Sequence, residues 1–309
     1  MFATSAQRRA IRALAVAATA AALATSLTSC ATATTGWQAG TGPIKIVAST
    51  DVWGSVANLI AGDTATVTAL ISNTNQDPHS FEASARDQLA VNEADIVIMN
   101  GGGYDDFVEK MVAADPTPAI VVNAFMAAGD DASRNEHIWF DVDQSGDVAA
   151  VIAGAIVAVD SSASERVWAN LDALRTQLAN RKATLNNIKA AGACGNVFAT
   201  EPLIDYLLED AGCTNLTPEE YARAIEEERD VPPAVLNEAK QILQGDIYLI
   251  AVNASVTSSQ ISSLIEGVRR GIPVYSFSEL LPQDPDTFAY EGDYLAMLDG
   301  AIAEIEGKQ

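Results

Sequence analysis

Short apolar runs rich in β-branched residues alternate along the chain with segments of helical periodicity. The first half contains IKIVAST, TVTALIS, DIVIMNG and AIVVNAF, and the second half contains NVFAT, DIYLIAVNA and PVYSF. Strands in which apolar and polar residues do not alternate are buried on both faces, as in parallel sheets that helices cover. The pattern therefore predicts two α/β domains, each built on a parallel sheet.

A long helix is predicted between the two sets of strands. Apolar residues recur there about every 3.5 residues, with polar positions between them, as one helical face requires. They are Val167, Leu171, Leu174, Leu178, Leu185 and Ile188. About 25 residues at roughly 1.5 Å each span on the order of 40 Å, enough to brace both domains. We therefore expect no large hinge movement between the two domains.

These elements divide the chain into an N-terminal α/β domain in residues 44–145, linking helices in residues 146–190 and a C-terminal α/β domain in residues 191–309. A length of 309 residues, 49% of them apolar, is sufficient for two such cores. Residues 30–43 are mostly small and polar, a composition typical of a flexible tether.

The N terminus has the pattern of an export signal. Arg8, Arg9 and Arg12 precede an apolar run that ends in LTSC at Cys30. This pattern predicts a signal peptide in residues 1–29, and the small residues before Cys30 resemble a lipobox, in which that cysteine is lipidated. A transmembrane helix is the alternative, although the run is short for one. We expect an exported protein that is lipid-anchored to the outer face of the cytoplasmic membrane.

The charge balance excludes one class of partner. The chain has 18 basic and 41 acidic residues, a formal net charge of -23, and no stripe of basic residues that would follow a phosphate backbone. Removal of residues 1–29 takes away three arginines and no acid, which leaves 15 - 41 = -26. We therefore expect no nucleic-acid partner.

Two cysteines, Cys194 and Cys213, remain if Cys30 carries lipid. Each precedes a predicted strand, and one helix joins the two strands. In a right-handed βαβ unit such strands are parallel and adjacent, which brings their starting ends together. A disulfide between the two cysteines is therefore expected in an oxidising compartment, with a pair of buried thiols as the alternative.

Both histidines of the chain lie on loops that follow predicted strands. His79 comes after TVTALIS and precedes a helix whose Ser84 and Asp87 have capping-box spacing, and His137 follows the fourth strand. Loops at the carboxyl ends of parallel strands meet at one edge of a sheet, so the two imidazoles would converge. Histidine is the commonest metal ligand among side chains, although a single histidine is more often a packed or surface residue.

The segment QDPHSFEASARDQLAVNEADIVIMNGGGYDDF resembles the first signature of the metal-binding solute receptors of bacterial ABC importers, the zinc and manganese family. NEHIWFDV is similar to the second histidine motif of that family, and the resemblance extends over essentially the whole mature chain. It implies two Rossmann-like domains with parallel sheets, joined by a long rigid backbone helix, with a metal site in the cleft between the domains.

The resemblance also implies a ligand set. His79 and His137 match the two ligands of the N-terminal domain, and Glu201 in FATEPLIDYLLEDAG matches the third. The fourth ligand of the family is usually aspartate after the last strand. PVYSFSELLP offers Glu279 there, with Asp284 as the alternative. Two imidazoles and two carboxylates suit Zn²⁺, and bidentate carboxylates would raise the coordination number towards that of Mn²⁺.

The remaining motifs favour structural roles. Asp77 would either orient the ring of His79 or start the Asp-Pro turn, and Asp141 would either orient His137 or cap the next helix. GGGYDDF lacks the spacing of a phosphate loop and is typical of a tight strand-to-helix turn. The run EEERD at residues 226–230 is typical of a solvated face.

The resemblance implies a monomeric extracytoplasmic receptor that captures zinc or manganese as its transported ligand and delivers the ion to an ABC importer permease. One alternative is a metal-binding adhesin or scaffold lipoprotein on the same fold. The other is a metallohydrolase, which would need an open metal position and a general base. No HExxH motif or nucleophile elbow occurs in the chain, so the sequence favours the receptor.

Overall fold

Two four-stranded parallel sheets organise the protein. The computed structural model describes residues 42–74, 76–129, 135–256, 259–268, 271–282 and 292–307. The first sheet, in the order β2-β1-β3-β4, contains β1 (Ile44–Thr50), β2 (Ala65–Ile71), β3 (Ile96–Met99) and β4 (Ile120–Asn123). The second sheet, in the order β6-β5-β7-β8, contains β5 (Asn196–Ala199), β6 (Thr214–Asn215), β7 (Leu249–Asn253) and β8 (Val274–Phe277).

Helices cover both sheets and connect them. The helices of the first half are α1 (Asp51–Ala61), α2 (Ala85–Asn92), α3 (Asp106–Ala114) and α4 (Ala124–Ala127). The connecting helices are α5 (Val142–Val159) and α6 (Ser164–Ala191). The helices of the second half are α7 (Asp205–Ala211), α8 (Glu219–Glu226), α9 (Pro233–Ile242), α10 (Ser259–Glu266) and α11 (Tyr294–Glu306).

The predicted α/β fold with two parallel sheets and a long connecting helix is confirmed. Helix α6 has 28 residues, and all six apolar positions of its predicted face are buried. This face belongs to a hydrophobic core that continues from the inner side of the first sheet, at Ile46, to the inner side of the second, at Leu249. The two halves therefore share one core. The limits of the two domains stay a prediction, because all described elements belong to one compact unit.

The C-terminal helix α11 returns to the first half and strengthens the connection. The hydroxyl of Tyr294 donates to the carbonyl oxygen of Trp139 over 2.6 Å and lies 2.7 Å from Oγ of Ser145. Arg181 of α6 donates to the carbonyl oxygen of Leu295 and to the carboxylate of Asp299, which lies 2.5 Å away. Helices α6 and α11 thus link the two halves by packing and by hydrogen bonds.

Cys194 and Cys213 form a disulfide with a Cα–Cα distance of 5.0 Å. The cysteines lie just before β5 and β6, which pair in parallel from Asn196 and Thr214. Their position at the amino edge of the second sheet agrees with the geometry expected of adjacent parallel strands. The disulfide therefore lies at the opposite edge of the sheet from the loops that carry the candidate ligands.

Helix α5 is the one helix among the described residues whose length and apolar composition would allow it to cross a membrane. Half of that window is buried inside the protein, and core helices meet the same criteria. The predicted signal peptide in residues 1–29, the lipidation site Cys30 and nearly all of the tether lie outside the described residues. These predictions stay untested by the fold.

Candidate metal centre

All four predicted ligands follow carboxyl ends of strands. His79 lies in the loop after β2, and His137 in the loop that follows β4 and α4. Glu201 lies two residues after β5, and Glu279 two residues after β8. The structure brings them towards one place, with His137, Glu201 and Glu279 buried at 1%, 4% and 3% exposure and His79 exposed. Asp284, the alternative fourth ligand, lies outside the described residues.

A short 3₁₀ turn, Pro78–Ser80, presents His79. Oδ1 of Asp77 accepts a hydrogen bond from the backbone N–H of His79 over 2.8 Å. Asp77 therefore stabilises the turn, which is one of the two roles that the sequence suggested for it. The capping box of Ser84 and Asp87 begins α2 as predicted and fixes the other end of the loop. The loop thus holds the imidazole at the sheet edge through its backbone.

Asn135 orients the buried His137. Oδ1 of Asn135 accepts from the backbone N–H of His137 over 2.9 Å and lies 2.8 Å from its Nδ1. The amide nitrogen of Asn135 donates to the carbonyl oxygen of Pro202, which identifies the other amide atom as the oxygen. Because that oxygen only accepts, Nδ1 carries the proton and Nε2 presents a free lone pair. Asp141, considered for this role, caps α5 by accepting from Gln144.

Burial keeps His137 neutral. Burial, together with the neighbouring His79, lowers the pKa of His137 to about 3. The imidazole therefore stays in the form that binds a metal at any physiological pH. Its Nε2 lies 3.7 Å from Oε1 of Glu226 at the end of α8.

The glycine-rich segment after β3 is the tight turn that the sequence predicts. A Cβ at Gly101 would lie 2.4 Å from the side chain of Asn123, and one at Gly102 would lie 2.7 Å from Phe125. Both residues also have positive φ angles, so glycine is required. The turn places the buried ring of Tyr104 against His79, with 5.0 Å between the ring centroids.

Asn253, the last residue of β7, joins the two carboxylates of the second half. Its amide nitrogen donates to Oε2 of Glu201 over 2.7 Å and to Oε1 of Glu279 over 2.5 Å. Strand β7 lies between β5 and β8, so its carboxyl end falls between the two glutamates. The other oxygens, Oε1 of Glu201 and Oε2 of Glu279, are buried and make no hydrogen bond within the described part of the chain.

The surroundings of both carboxyl groups disfavour their ionised forms. Burial raises the pKa of Glu201 to about 7 and that of Glu279 to about 8, with Asp77 adding to both shifts. The donor amide of Asn253 opposes these shifts but is outweighed by desolvation. Buried carboxylates with unpaired oxygens cost free energy that a bound cation would recover.

Ligand atoms of His79, His137 and Glu279 lie within 4.8 Å of one another, and Asn253 couples Glu201 to this group. The set offers imidazole nitrogen and carboxylate oxygen on loops from both sheets, which is a donor set for a divalent transition metal. With two ionised carboxylates and two neutral imidazoles, such a centre is formally neutral once filled.

A second group of ligand atoms lies beside the first and includes Glu226. The run at residues 226–230 was expected to be a solvated face, and residues 227–230 are exposed as predicted. Glu226 is the exception, because it is half-buried and its Oε1 is buried with no hydrogen bond among the described residues. Ligand atoms of His79, Glu136 and Glu226 lie within 4.8 Å of one another. Burial and the adjacent Glu136 raise the pKa of Glu226 above its ordinary range. The end of α8 therefore points to the cleft rather than to solvent.

We expect the metal-free protein to lose stability as the pH rises from 5 to 8. The folded-state pKa values of Glu201 and Glu279 are raised, so their protonated forms are favoured by folding below the unfolded pKa, and this contribution disappears as pH rises through about 7 and about 8. A tenfold difference in proton affinity between the folded and unfolded states is worth about 1.4 kcal/mol, so the two groups together contribute on the order of several kcal/mol. Urea unfolding at fixed salt would measure this loss.

Glu279→Gln should flatten this pH dependence, whereas the exposed Glu228→Gln should leave it unchanged. A metal-free protein whose unfolding free energy rises steadily from pH 5 to pH 8 would contradict the burial of these carboxyl groups.

Comparison with known proteins agrees with the fold. The chain is 28% identical over 135 residues to the manganese-binding lipoprotein MntA of Halalkalibacterium halodurans, a match that covers 42% of this chain and 44% of that relative. The structure is similar to the periplasmic zinc-binding protein TroA from Treponema pallidum, with a TM-score of 0.71 and 17% identity over 86% of this chain and 99% of the other. It is also similar to FpvC from Pseudomonas aeruginosa in complex with Mn²⁺, with a TM-score of 0.68 and 23% identity over 86% and 100% of the chains.

The structural likenesses show that this chain shares its fold with these proteins. Residues 46–307 match the family described as zinc-uptake complex component A, periplasmic. The chain belongs to this family, which confirms the resemblance seen in its histidine motifs. The family is one of metal-binding transport receptors and not of enzymes, so the metallohydrolase alternative is not supported.

Proposed function

We propose that this protein is an extracytoplasmic receptor that captures one divalent transition metal ion and delivers it to the permease of an ABC importer. Family membership supports the metal-binding class over residues 46–307. The observation that carries the proposal is the group of ligand atoms of His79, His137 and Glu279, which lie within 4.8 Å of one another. Asn253 holds Glu201 beside this group, and Oε1 of Glu201 and Oε2 of Glu279 are buried with no hydrogen bond among the described residues.

In this proposal His79, His137, Glu201 and Glu279 are the ligands of the transported ion. His79 is the exposed member and makes the first contact with the ion, whereas His137 is the fixed one because Asn135 holds its ring. Asn253 keeps Glu201 and Glu279 side by side, so an ion meets both carboxylates without a rearrangement of the second half. Such supporting hydrogen bonds are worth roughly 10- to 100-fold in metal affinity.

Zinc is the metal that we favour. Two nitrogen and two oxygen ligands suit tetrahedral Zn²⁺, and at most N/O sites zinc binds more tightly than manganese. Manganese is the alternative, because two carboxylates that bind through both oxygens would supply a larger coordination number. Similar proteins are named for each metal: TroA is a zinc-binding protein and MntA a manganese-binding lipoprotein.

The remaining features of the proposal concern location and partners. Lipidation at Cys30 after removal of residues 1–29 would anchor a monomer to the outer face of the cytoplasmic membrane, with residues 30–43 as the tether. The permease is then the partner that receives the ion. An adhesin or scaffold role would share the fold, and capture of surface partners on intact cells would separate it from transport.

Titration of the metal-free protein with Zn²⁺, followed by calorimetry, tests the proposal. We expect one zinc ion per chain with a dissociation constant below the micromolar range, because three candidate ligands already lie within 4.8 Å of one another and Asn253 holds the fourth beside them. Competition with Mn²⁺ would then rank the two metals. The absence of any saturable uptake of either ion would remove the proposal.

A further inference from the structure

A cavity of about 300 Å³ opens at the mouth of the cleft, beside the candidate ligands. Its wall contains one imidazole, four carboxylates and one guanidinium: His79, Glu136, Glu226, Glu227, Glu228 and Arg223. The formal charge of the four glutamates and the arginine is -4 + 1 = -3. Among these groups, His79, Glu136 and Glu226 have ligand atoms within 4.8 Å of one another. The cavity thus has a compact donor set in a negatively charged wall.

The contact between His137 and Glu226 places the second group of ligand atoms directly beside the first. His137 is 1% exposed, its Nδ1 carries the proton, and its bare Nε2 faces the partnerless Oε1 of Glu226 over 3.7 Å. Either a proton on the Glu226 carboxyl group or a bound cation would remove the repulsion between these two acceptor atoms. Two ligands on tetrahedral zinc, with bonds of about 2.0 to 2.2 Å, are about 3.4 Å apart. The observed separation is therefore close to that of two donors that share one ion.

We propose that His79, Glu136 and Glu226 form an outer position for a divalent transition cation, through which the ion passes to and from the inner set of His79, His137, Glu201 and Glu279. This inference rests on the proposed function, because it assigns a path to the ion that the inner set captures. The outer position adds two ligands to the inner set: Glu136, which directly precedes His137 in the second histidine motif, and Glu226, which lies outside both motifs.

The shared histidine explains how an ion would move between the two positions. His79 belongs to both groups, so the ion keeps one ligand while it exchanges Glu136 and Glu226 for His137 and Glu279. Glu226 faces His137 as well, which shortens the path between the two groups. Each position supplies two carboxylates, so the divalent ion stays formally neutralised at both ends. A stepwise exchange of ligands avoids the release of a bare ion into the cleft.

Zinc-binding kinetics of the full chain test the outer position, with the fluorescence of Trp139 as the signal. Its ring lies 5.1 Å from that of His137, between centroids. Glu136→Gln leaves every inner ligand in place. We expect it to slow association and dissociation together by roughly tenfold while the dissociation constant stays within about fivefold, since a transit position lowers the barrier in both directions.

Glu228→Gln is the matched control, because it removes the same charge from the same cavity wall without touching either ligand group. It should change both rates by less than about twofold. Equal effects of the two substitutions would show that the cavity attracts cations only through its overall charge, and this result would overturn the outer position. Unchanged rates in Glu136→Gln would overturn it as well. A wild-type protein that takes up no zinc at equilibrium would overturn the proposed function as well. Rates that are insensitive to Glu136 would overturn the outer position alone.

Discussion

Replacing His79 and His137 together by alanine is expected to abolish stoichiometric zinc binding. The double variant keeps Glu201 and Glu279, but carboxylates alone give a weak site for a metal that prefers nitrogen and sulfur donors. If four ligands share the roughly 12 kcal/mol of a tight zinc site, two of them account for an affinity loss on the order of 10⁴-fold. Calorimetric titration of the metal-free double variant measures the loss.

His79→Ala alone provides a variant whose folding is not in question, because His79 is exposed. It should lower the affinity on the order of 100-fold. Ser80→Ala changes the neighbouring residue of the same turn and cavity wall, and it should bind zinc as the wild type does. Wild-type affinity in the double variant would show that the ion is held elsewhere.

Zinc affinity is expected to fall on the order of 100-fold between pH 8 and pH 6. The ion binds the ionised carboxylates, and the pKa values of about 7 for Glu201 and about 8 for Glu279 mean that both acquire protons over this range. Protons and zinc therefore compete for the same oxygens. A chelator competition at each pH, corrected for the protonation of the chelator, gives the affinity.

The competition between protons and zinc can also be measured as the number of protons released when zinc binds. Calorimetry in buffers with different ionisation enthalpies should show about two protons released per zinc ion near pH 6. His137 does not contribute, because its pKa lies at about 3. The exposed Glu228→Gln variant should show the same slope as the wild type. An affinity that is constant across the range would mean that these carboxylates are ionised without metal.

The fold was largely predictable because its strongest signals are local. Apolar runs marked seven of the eight strands, and the helical period marked α6 with its buried face from Val167 to Ile188. The expected burial on both faces holds for β1, β3, β5 and β7, whereas β2, β4 and β8 lie at sheet edges and are partly exposed. Strand β6 is only two residues long, Thr214–Asn215, so its pairing depends on β5 and not on its own pattern. The local sequence pattern could not predict that both halves share one hydrophobic core, because this depends on tertiary packing.

The site was predictable only where motifs marked it. The candidate ligands were assigned by resemblance and by their position after strands. Asn135 and Tyr104 lie inside the two motif segments but were not assigned a role, and Asn253 carries no signal beyond its identity. An asparagine that ends a strand is common, and its role here depends on which strands are neighbours. Glu226 was assigned to a solvated face because a run of charges is usually exposed, and only the packing of α8 over the cleft turns its side chain inward.

One continuous hydrophobic core runs from the first sheet through α6 to the second. We therefore expect the metal-bound and metal-free forms to differ in the conformation of a few loops and not in the relative orientation of the two halves. The hydrogen bond from Asn135 to the carbonyl oxygen of Pro202 is one such local link across the cleft. Under the proposed function, the permease would release the ion by shifting the few side chains that hold it, and not by reorienting the two halves of the protein.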